Sequence, residues 1–169
     1  VDEQMIDVKI GEIGEIVHRS PQLLIGYYND PKRTQTAFKG GWFHSGDLAT
    51  IDEEGHITVV DRKKDMINSG GENVASREVE ECIYLIPEVS EVAVIGLSHP
   101  RWIETVTAVV VLKEGQIKTE ASIIEHCKLN LASFKAPTKV IFCQSLPKNP
   151  SGKLLKRELR EQHAKQASS

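Results

Sequence analysis

Three short segments of this chain hold residue types from which chemistry is commonly built. The first is Gly41-Trp42-Phe43-His44-Ser45-Gly46-Asp47. Adjacent His, Ser and Asp suggest a hydrolase, but a nucleophile elbow needs Gly-x-Ser-x-Gly and position 43 is Phe. Side chains of consecutive residues also do not converge as a triad requires. What remains is a polar turn whose carboxylate, Asp47, offers two acceptor oxygens suited to a vicinal diol such as ribose. The second segment is Leu146-Pro147-Lys148-Asn149-Pro150-Ser151-Gly152-Lys153. A Walker A loop would need Gly at 147 and Ser or Thr at 154, where this chain has Pro and Leu, so that reading is rejected. Its Lys153, a compact charge on a long stem in a Pro- and Gly-restricted loop as a helix begins, suits a phosphate or carboxylate. The third, Asn68-Ser69-Gly70-Gly71-Glu72-Asn73, carries a glycine pair that allows positive φ or the close approach of another chain or ligand.

Other chemistries are argued against. Cys82, Cys127 and Cys143 have neither C-x-x-C spacing nor the density of a disulfide framework, and read as small core side chains in a reducing compartment. His18, His44, His56, His99, His126 and His163 show no ligand spacing, so no metal site made by protein ligands alone is expected. The chain has 169 residues, is 40% hydrophobic, 5% aromatic and 27% charged, and carries a net charge of -3, the profile of an ordinary globular protein. Charge rises from -5 over residues 1–60 to +4 over 148–169. That basic end reads Lys-Leu-Leu-Lys-Arg-Glu-Leu from Lys153, continuing to Lys165 as an amphipathic helix with Leu154, Leu155 and Leu159 on one face. No aromatic residues interleave its charges for base stacking, so nucleic acid is not an expected partner. Apolar runs at 92–97 and 108–112 fall far short of the ~18 residues of a membrane span. The first residues carry no secretory signal, and the chain does not begin with Met, so a fragment of a longer protein is expected.

The elements that must position these segments differ between halves. Residues 5–10, 14–19 and 56–60 alternate as half-buried strands do. Asp30-Pro31 supplies an N-cap and a Pro in the first turn of a short helix over 32–39, stopped by Gly40-Gly41, and Asp52-Glu53-Glu54-Gly55 is a turn. Beyond residue 65 the pattern becomes α+β. Ser76 caps a helix with Val79, Ile83 and Ile86 inward, and Thr119 caps another with Ile123, Ile124, Cys127 and Leu131 inward. Residues 89–97, 105–112 and 138–143 are Val- and Ile-rich strands. The join is Asp61-Arg62-Lys63-Lys64-Asp65, a run of five charges that is either a solvated turn or a hinge.

Taken together and in order, the three segments resemble those of the adenylate-forming superfamily: acyl- and aryl-CoA synthetases, luciferases and peptide-synthetase adenylation domains. Gly11-Glu12-Ile13-Gly14-Glu15-Ile16 and Gly26-Tyr27-Tyr28-Asn29-Asp30-Pro31, with the stretches at 41–47, 61–80 and 147–153, all look like signatures of that family. The resemblance implies that 1–63 ends a large N-terminal adenylation domain as a small β-barrel-like subdomain, and that 64–169 is a mobile C-terminal α+β domain. It implies activation of a carboxylic acid by ATP and Mg2+ to an acyl-adenylate, then rotation of the C-terminal domain and transfer of the acyl group to coenzyme A.

Residue by residue, Asp47 matches the acid that holds the ribose hydroxyls and Arg62 the arginine beside it. Lys64 matches the hinge, and Lys153 the catalytic lysine that bridges the acid carboxylate and the α-phosphate. Ser69, Gly70, Gly71 and Glu72 match the segment lining the pantetheine tunnel, and Trp102, Phe134 and Lys135 lie where relatives pack near CoA. The chain departs from the pattern at three positions: Ile103 replaces the Gly usual after that Trp, Ala136 stands where some aryl-CoA ligases carry an Arg, and Asp61 replaces a common Gly. Ser-Gly-Gly-Glu-Asn-Val looks most like fatty acyl-CoA ligases, which implies a fatty acid substrate and a cytoplasmic setting. The missing N-terminal domain would bring the phosphate loop and most of the Mg2+ site, so the fragment alone is expected to be inactive. Peripheral membrane contact and a homodimer are compatible with the sequence. Two other readings stand beside this one: an adenylating enzyme that loads a carrier-protein phosphopantetheine, and a non-catalytic binding or regulatory module.

Overall fold

The computed structural model describes residues 1–164. The chain divides into two compact units, one ending at Lys64 and the other beginning at Asp65.

In the first unit β1 (Gly14–His18), β2 (Phe43–Ile51) and β3 (Ile57–Arg62) form an antiparallel sheet in the order β1-β2-β3. Three strands are too few to close on themselves, so the sheet is open. Helix α1 (Pro31–Ala37) forms as its sequence dictates: the Asp30 carboxylate accepts the Arg33 N–H at 2.9 Å, Pro31 sits in the first turn, and the chain leaves through Gly40 at φ 67. The Asp52 carboxylate shapes the β2–β3 turn, accepting the Glu54 and His56 N–H groups at 2.9 and 2.8 Å. Two expectations are corrected. Residues 5–10 are not a strand, because the Asp2 carboxylate captures the Gln4 and Ile6 amides, and Ile6 and Ile10 are exposed. The segment at 41–47 is no mere polar turn, since from Phe43 onward it is the first half of the central strand.

The second unit holds β4 (Ile67–Ser69), β5 (Glu72–Val74), α2 (Ser76–Tyr84), β6 (Val89–His99), β7 (Ile103–Leu112), α3 (Glu120–Asn130), β8 (Lys139–Phe142) and α4 (Lys156–Ala164). Its five-stranded sheet runs β5-β4-β7-β6, with β8 parallel to β7 and the other pairings antiparallel. Residues of β6 and β7 alternate between two apolar clusters. Val92, Val94, Val106, Ala108 and Val110 join Val79 and Ile83 of α2 and Ile123 and Cys127 of α3. Ala93, Ile95, Leu97 and Val109 join Leu146 and Leu159. Both faces of this strand pair are therefore covered, which is why the two strands read as unbroken apolar runs.

Thr119 caps α3 as its type suggests, accepting the Ser122 N–H at 3.2 Å. Ser76 does not cap α2. Ala75 is the N-cap residue, and the buried Ser76 hydroxyl is instead 2.7 Å from Lys156 Nζ, a partner 80 residues away. The C-terminal helix starts later than its Leu stripe suggests. Leu154 and Leu155 precede α4 and Leu159 alone of the three lies within it, while Lys165 falls outside the described residues.

Candidate functional site

In the first unit, strand register sets Asp47 opposite Arg62. The Arg62 Nε donates to Asp47 Oδ1 at 2.7 Å, with side chains 44% and 32% exposed. A pair this open contributes little to stability, about 0–1 kcal/mol, so its consequence is orientation. The main chain around Asp47 is fixed as well. Ser45 Oγ donates to the Ile16 carbonyl at 2.7 Å and accepts the Asp47 N–H at 3.0 Å. Gly46 has φ 73, a left-handed backbone that a side chain would disfavour, and the β2–β3 register shifts between Leu48 and Ala49. A carboxylate thus stands on a rigid strand, steered by a guanidinium through one oxygen.

Beneath this strand lies a residue to which sequence reasoning assigned no role. Glu15 on β1 is buried, and its Oε2 is 3.0 Å from both His44 Nδ1 and Lys63 Nζ while its Oε1 accepts the Gly46 N–H at 3.2 Å. Burial alone would raise its pKa. The hydrogen bonds from His44 and Lys63, with their charges, outweigh that and hold it below the ordinary 4.5. Only its place in the 11–16 signature could have flagged it, because its partners are distant in sequence. A depressed folded-state pKa stabilises above about pH 4.5, and that contribution is lost as pH falls through the folded value. Glu15→Gln should therefore destabilise the chain by about 1–3 kcal/mol at pH 7. The gap in urea midpoint between variant and parent should close as pH falls below 4.5; a gap independent of pH would show that the carboxylate charge is immaterial.

Across the join, Lys63 and Asp65 are each tied into their own unit. The Lys63 N–H donates to the Gly46 carbonyl at 2.8 Å, and buried Asp65 accepts from Arg160 at 2.8 Å. Lys64 between them is exposed.

In the second unit, Lys153 is carried by a tight hairpin in which Lys148 pairs with Leu154. Asn149 organises it: its Oδ1 accepts the Lys153 N–H at 2.8 Å, the Ser151 N–H at 3.1 Å and the Ser151 hydroxyl at 2.8 Å. Its backbone N–H donates to the Lys153 carbonyl at 2.9 Å, and Gly152 turns the chain at φ 82. Lys148 is anchored to Glu91 at 2.8 Å, and Lys156 to Glu80 at 2.6 Å. Lys153 is exposed, and among the described residues nothing pairs with its ammonium. It precedes α4 by three residues.

Gly70 and Gly71, with φ of 64 and 91, form the two-residue turn between β4 and β5 and leave Ser69 paired with Glu72. Trp102 closes on this hairpin: a Cβ on Gly70 would stand 3.0 Å from the indole, and the Gly70 N–H donates to the Trp102 carbonyl at 2.9 Å. Phe134 and Lys135 lie on a 3₁₀ turn, Ser133–Lys135, packed beside β5. Lys135 Nζ is 2.7 Å from both oxygens of Glu78, so its charge is already engaged. Ala136 is buried in the core. Burial pushes the Cys127 thiol up to about 12, helped by the neighbouring Cys82, which suits packing and not reactivity. Among the described residues no group of three or more His, Cys, Asp and Glu side chains is placed to hold a metal ion. No helix among them is long and apolar enough to cross a membrane.

Residues 78–153 match the AMP-binding enzyme C-terminal domain. The chain is 49% identical over 151 residues to the long-chain-fatty-acid–CoA ligase FadD13 of Mycobacterium tuberculosis, covering 89% of this chain and 30% of that one. It is 46% identical over 152 residues to the peroxisomal butyrate–CoA ligase AAE11 of Arabidopsis thaliana, covering 88% and 27%. In three dimensions it matches the crystal structure of the anthranilate CoA ligase AuaEII in complex with anthranoyl-AMP, with a TM-score of 0.90, 32% identity, all of this chain and 33% of that one. The chain thus spans about a third or less of each protein it resembles.

Proposed function

We propose that this chain, which belongs to the adenylate-forming enzymes and carries their AMP-binding enzyme C-terminal domain at residues 78–153, is the C-terminal part of an AMP-forming acid–thiol ligase. In the first half-reaction a carboxylate oxygen attacks the α-phosphorus of ATP and pyrophosphate leaves. In the second, the sulfur of coenzyme A attacks the acyl carbon, the thiol proton is lost and AMP leaves. The observation that carries this reading is the Lys153 hairpin, which holds an exposed ammonium, with no partner among the described residues, on a backbone fixed by Asn149. Such a charge is prepared for an anion that the described residues do not supply.

In this scheme Asp47 accepts the ribose hydroxyls while Arg62 steers its carboxylate. Lys153 offsets charge gathering between the acid carboxylate and the α-phosphate, a role of positioning and electrostatics. Reorientation about Lys64 then exchanges the Lys153 hairpin for the Gly70-Gly71 hairpin, whose bare backbone and Trp102 flank would line the path of the thiol. Ser69, Glu72, Phe134 and Lys135 border that path, and Lys135 would leave Glu78 to meet a phosphate. Hinge motion of this kind needs only a few torsions. Mg2+ would screen the ATP phosphates, but the described residues offer it no ligand cluster, so no step here runs through it. A fatty acid is the proposed substrate, on the strength of the relative 49% identical and named for one. The proposed setting is cytoplasmic, with the rest of the ligase, including its N-terminal domain, as the partner that completes the site.

The test is acid-dependent ATP–pyrophosphate exchange by the full-length protein across fatty and aryl acids, followed by thioester formation. Exchange with fatty acids and consumption of free CoA are the expected results. Exchange without CoA consumption would move the acceptor to a carrier-borne phosphopantetheine, and a folded protein that binds ATP but exchanges with no acid would leave a binding module.

A further inference from the structure

Ile103 opens β7 with φ 66, in the left-handed region. For a β-branched residue this is a genuine outlier, because the Cβ itself crowds the backbone carbonyl. Neighbouring bonds hold it there. The Trp102 carbonyl accepts the N–H of Gly70 at 2.9 Å and that of Glu104 at 2.7 Å, the second closing a three-residue turn across Ile103. Strain of this sort is usually offset by burial, yet Ile103 is 60% exposed. Glycine would adopt the same turn without strain. The unit therefore carries a side chain that crowds its own backbone and packs little within it, which directs attention to what lies outside.

The surroundings narrow the choice. Ile103 is paired directly with Ser69, and next to it Trp102 covers Gly70 while staying 43% exposed. Gly71 has no atom within 4 Å of where its Cβ would be. The Glu104 carboxylate turns back to the Asn68 N–H and lies against Gly96, and the Arg101 guanidinium stacks on Trp102 with 4.6 Å to the ring centroid. The result is a strip of uncovered backbone flanked by two exposed apolar side chains. It suits a slender ligand with amide groups and a branched aliphatic carbon. The pantetheine arm of the thiol acceptor has that chemistry: amides for the backbone, geminal methyls for Ile103.

We propose that Ile103 is a specificity-determining contact for the pantetheine arm, retained in a strained conformation for its outward side chain. This rests on the ligase reading above. Ile103→Ala removes the side chain but keeps the strain, and Ile103→Gly removes both. Each is made in the full-length ligase and assayed for thioester formation from supplied acyl-adenylate, with coenzyme A and with pantetheine.

Both variants should raise KM for both thiols by about tenfold, the low end for a lost apolar contact. ATP–pyrophosphate exchange should stay at the parent's level, and Tm should rise in the Gly variant only. Unchanged KM values in an active enzyme would overturn the role of Ile103 and leave the ligase reading intact. A rise confined to coenzyme A would set Ile103 against the nucleotide end and overturn its assignment to the arm. A parent inert in exchange with every acid would overturn the ligase reading and this proposal with it.

Discussion

Replacing Lys153 with Ala should lower ATP–pyrophosphate exchange by the full-length protein about 10²–10³-fold, equivalent to about 2.7–4 kcal/mol of transition-state stabilisation. Thioester formation from supplied acyl-adenylate should remain near the parent's rate. The asymmetry follows from the geometry. The ammonium is exposed and has no partner among the described residues, so its removal leaves no buried group unsatisfied. The hairpin is held by the Lys153 backbone, which Ala retains, through the Asn149 carboxamide at 2.8 Å. The fold and Tm should therefore be unchanged, and the loss should fall on kcat of the step in which charge gathers at phosphorus. Equal loss in both half-reactions, or a fall in Tm of several degrees, would remove Lys153 from the adenylation step.

The second large effect is expected at Asp47. Asp47→Ala should raise KM for ATP in the same exchange assay by about 10–100-fold, the range of hydrogen bonds to a charged acceptor. Stability should barely move, since the ion pair with Arg62 is well exposed, and the bonds from the Asp47 N–H to Ser45 Oγ and from the Gly46 N–H to the Glu15 carboxylate remain. Asp47→Asn keeps one acceptor oxygen and should lose less. If ATP affinity is unaltered in both variants, Asp47 only steers Arg62 and the ribose assignment fails.

How far the sequence exposes these arrangements depends on how local their causes are. The inward faces of α2 and α3 are readable because burial repeats at helical spacing through Val79 and Ile83, and again through Ile123 and Cys127. Caps such as Asp30 and Thr119 are readable because donor and acceptor lie within one turn. Strand β2 is hidden by His44, Ser45, Gly46 and Asp47, polar residues that break a period of two because one is a left-handed glycine and another faces a guanidinium. Ser76 misleads because it stands inside the helix, with Ala75 as the N-cap residue, and its hydroxyl meets Lys156 from far along the chain. Glu15 is opaque for the same reason, its partners standing 29 and 48 positions away. Of the candidate site, the Lys153 loop is legible from its Pro, Gly and Asn content. The closure of Trp102 on Gly70 needs the β4–β7 pairing, which only the fold supplies.

The β6–β7 ladder has a further meaning when regarded as a gradient of opening free energy. At its middle, Val94, Ile95, Val109 and Val110 are wholly buried, and their amides are expected to exchange with solvent only when the whole unit unfolds. At its far end, past Leu97 and Glu104, the pairing runs out to His99 and Ile103 and an exposed turn, where local fraying suffices. The residues proposed to face the thiol acceptor thus lie at the exposed end of this ladder, away from its wholly buried middle. Substitutions there should alter the proposed acceptor binding while leaving the buried middle of the ladder intact, so evolution, or an engineer, can vary the first without dismantling the second.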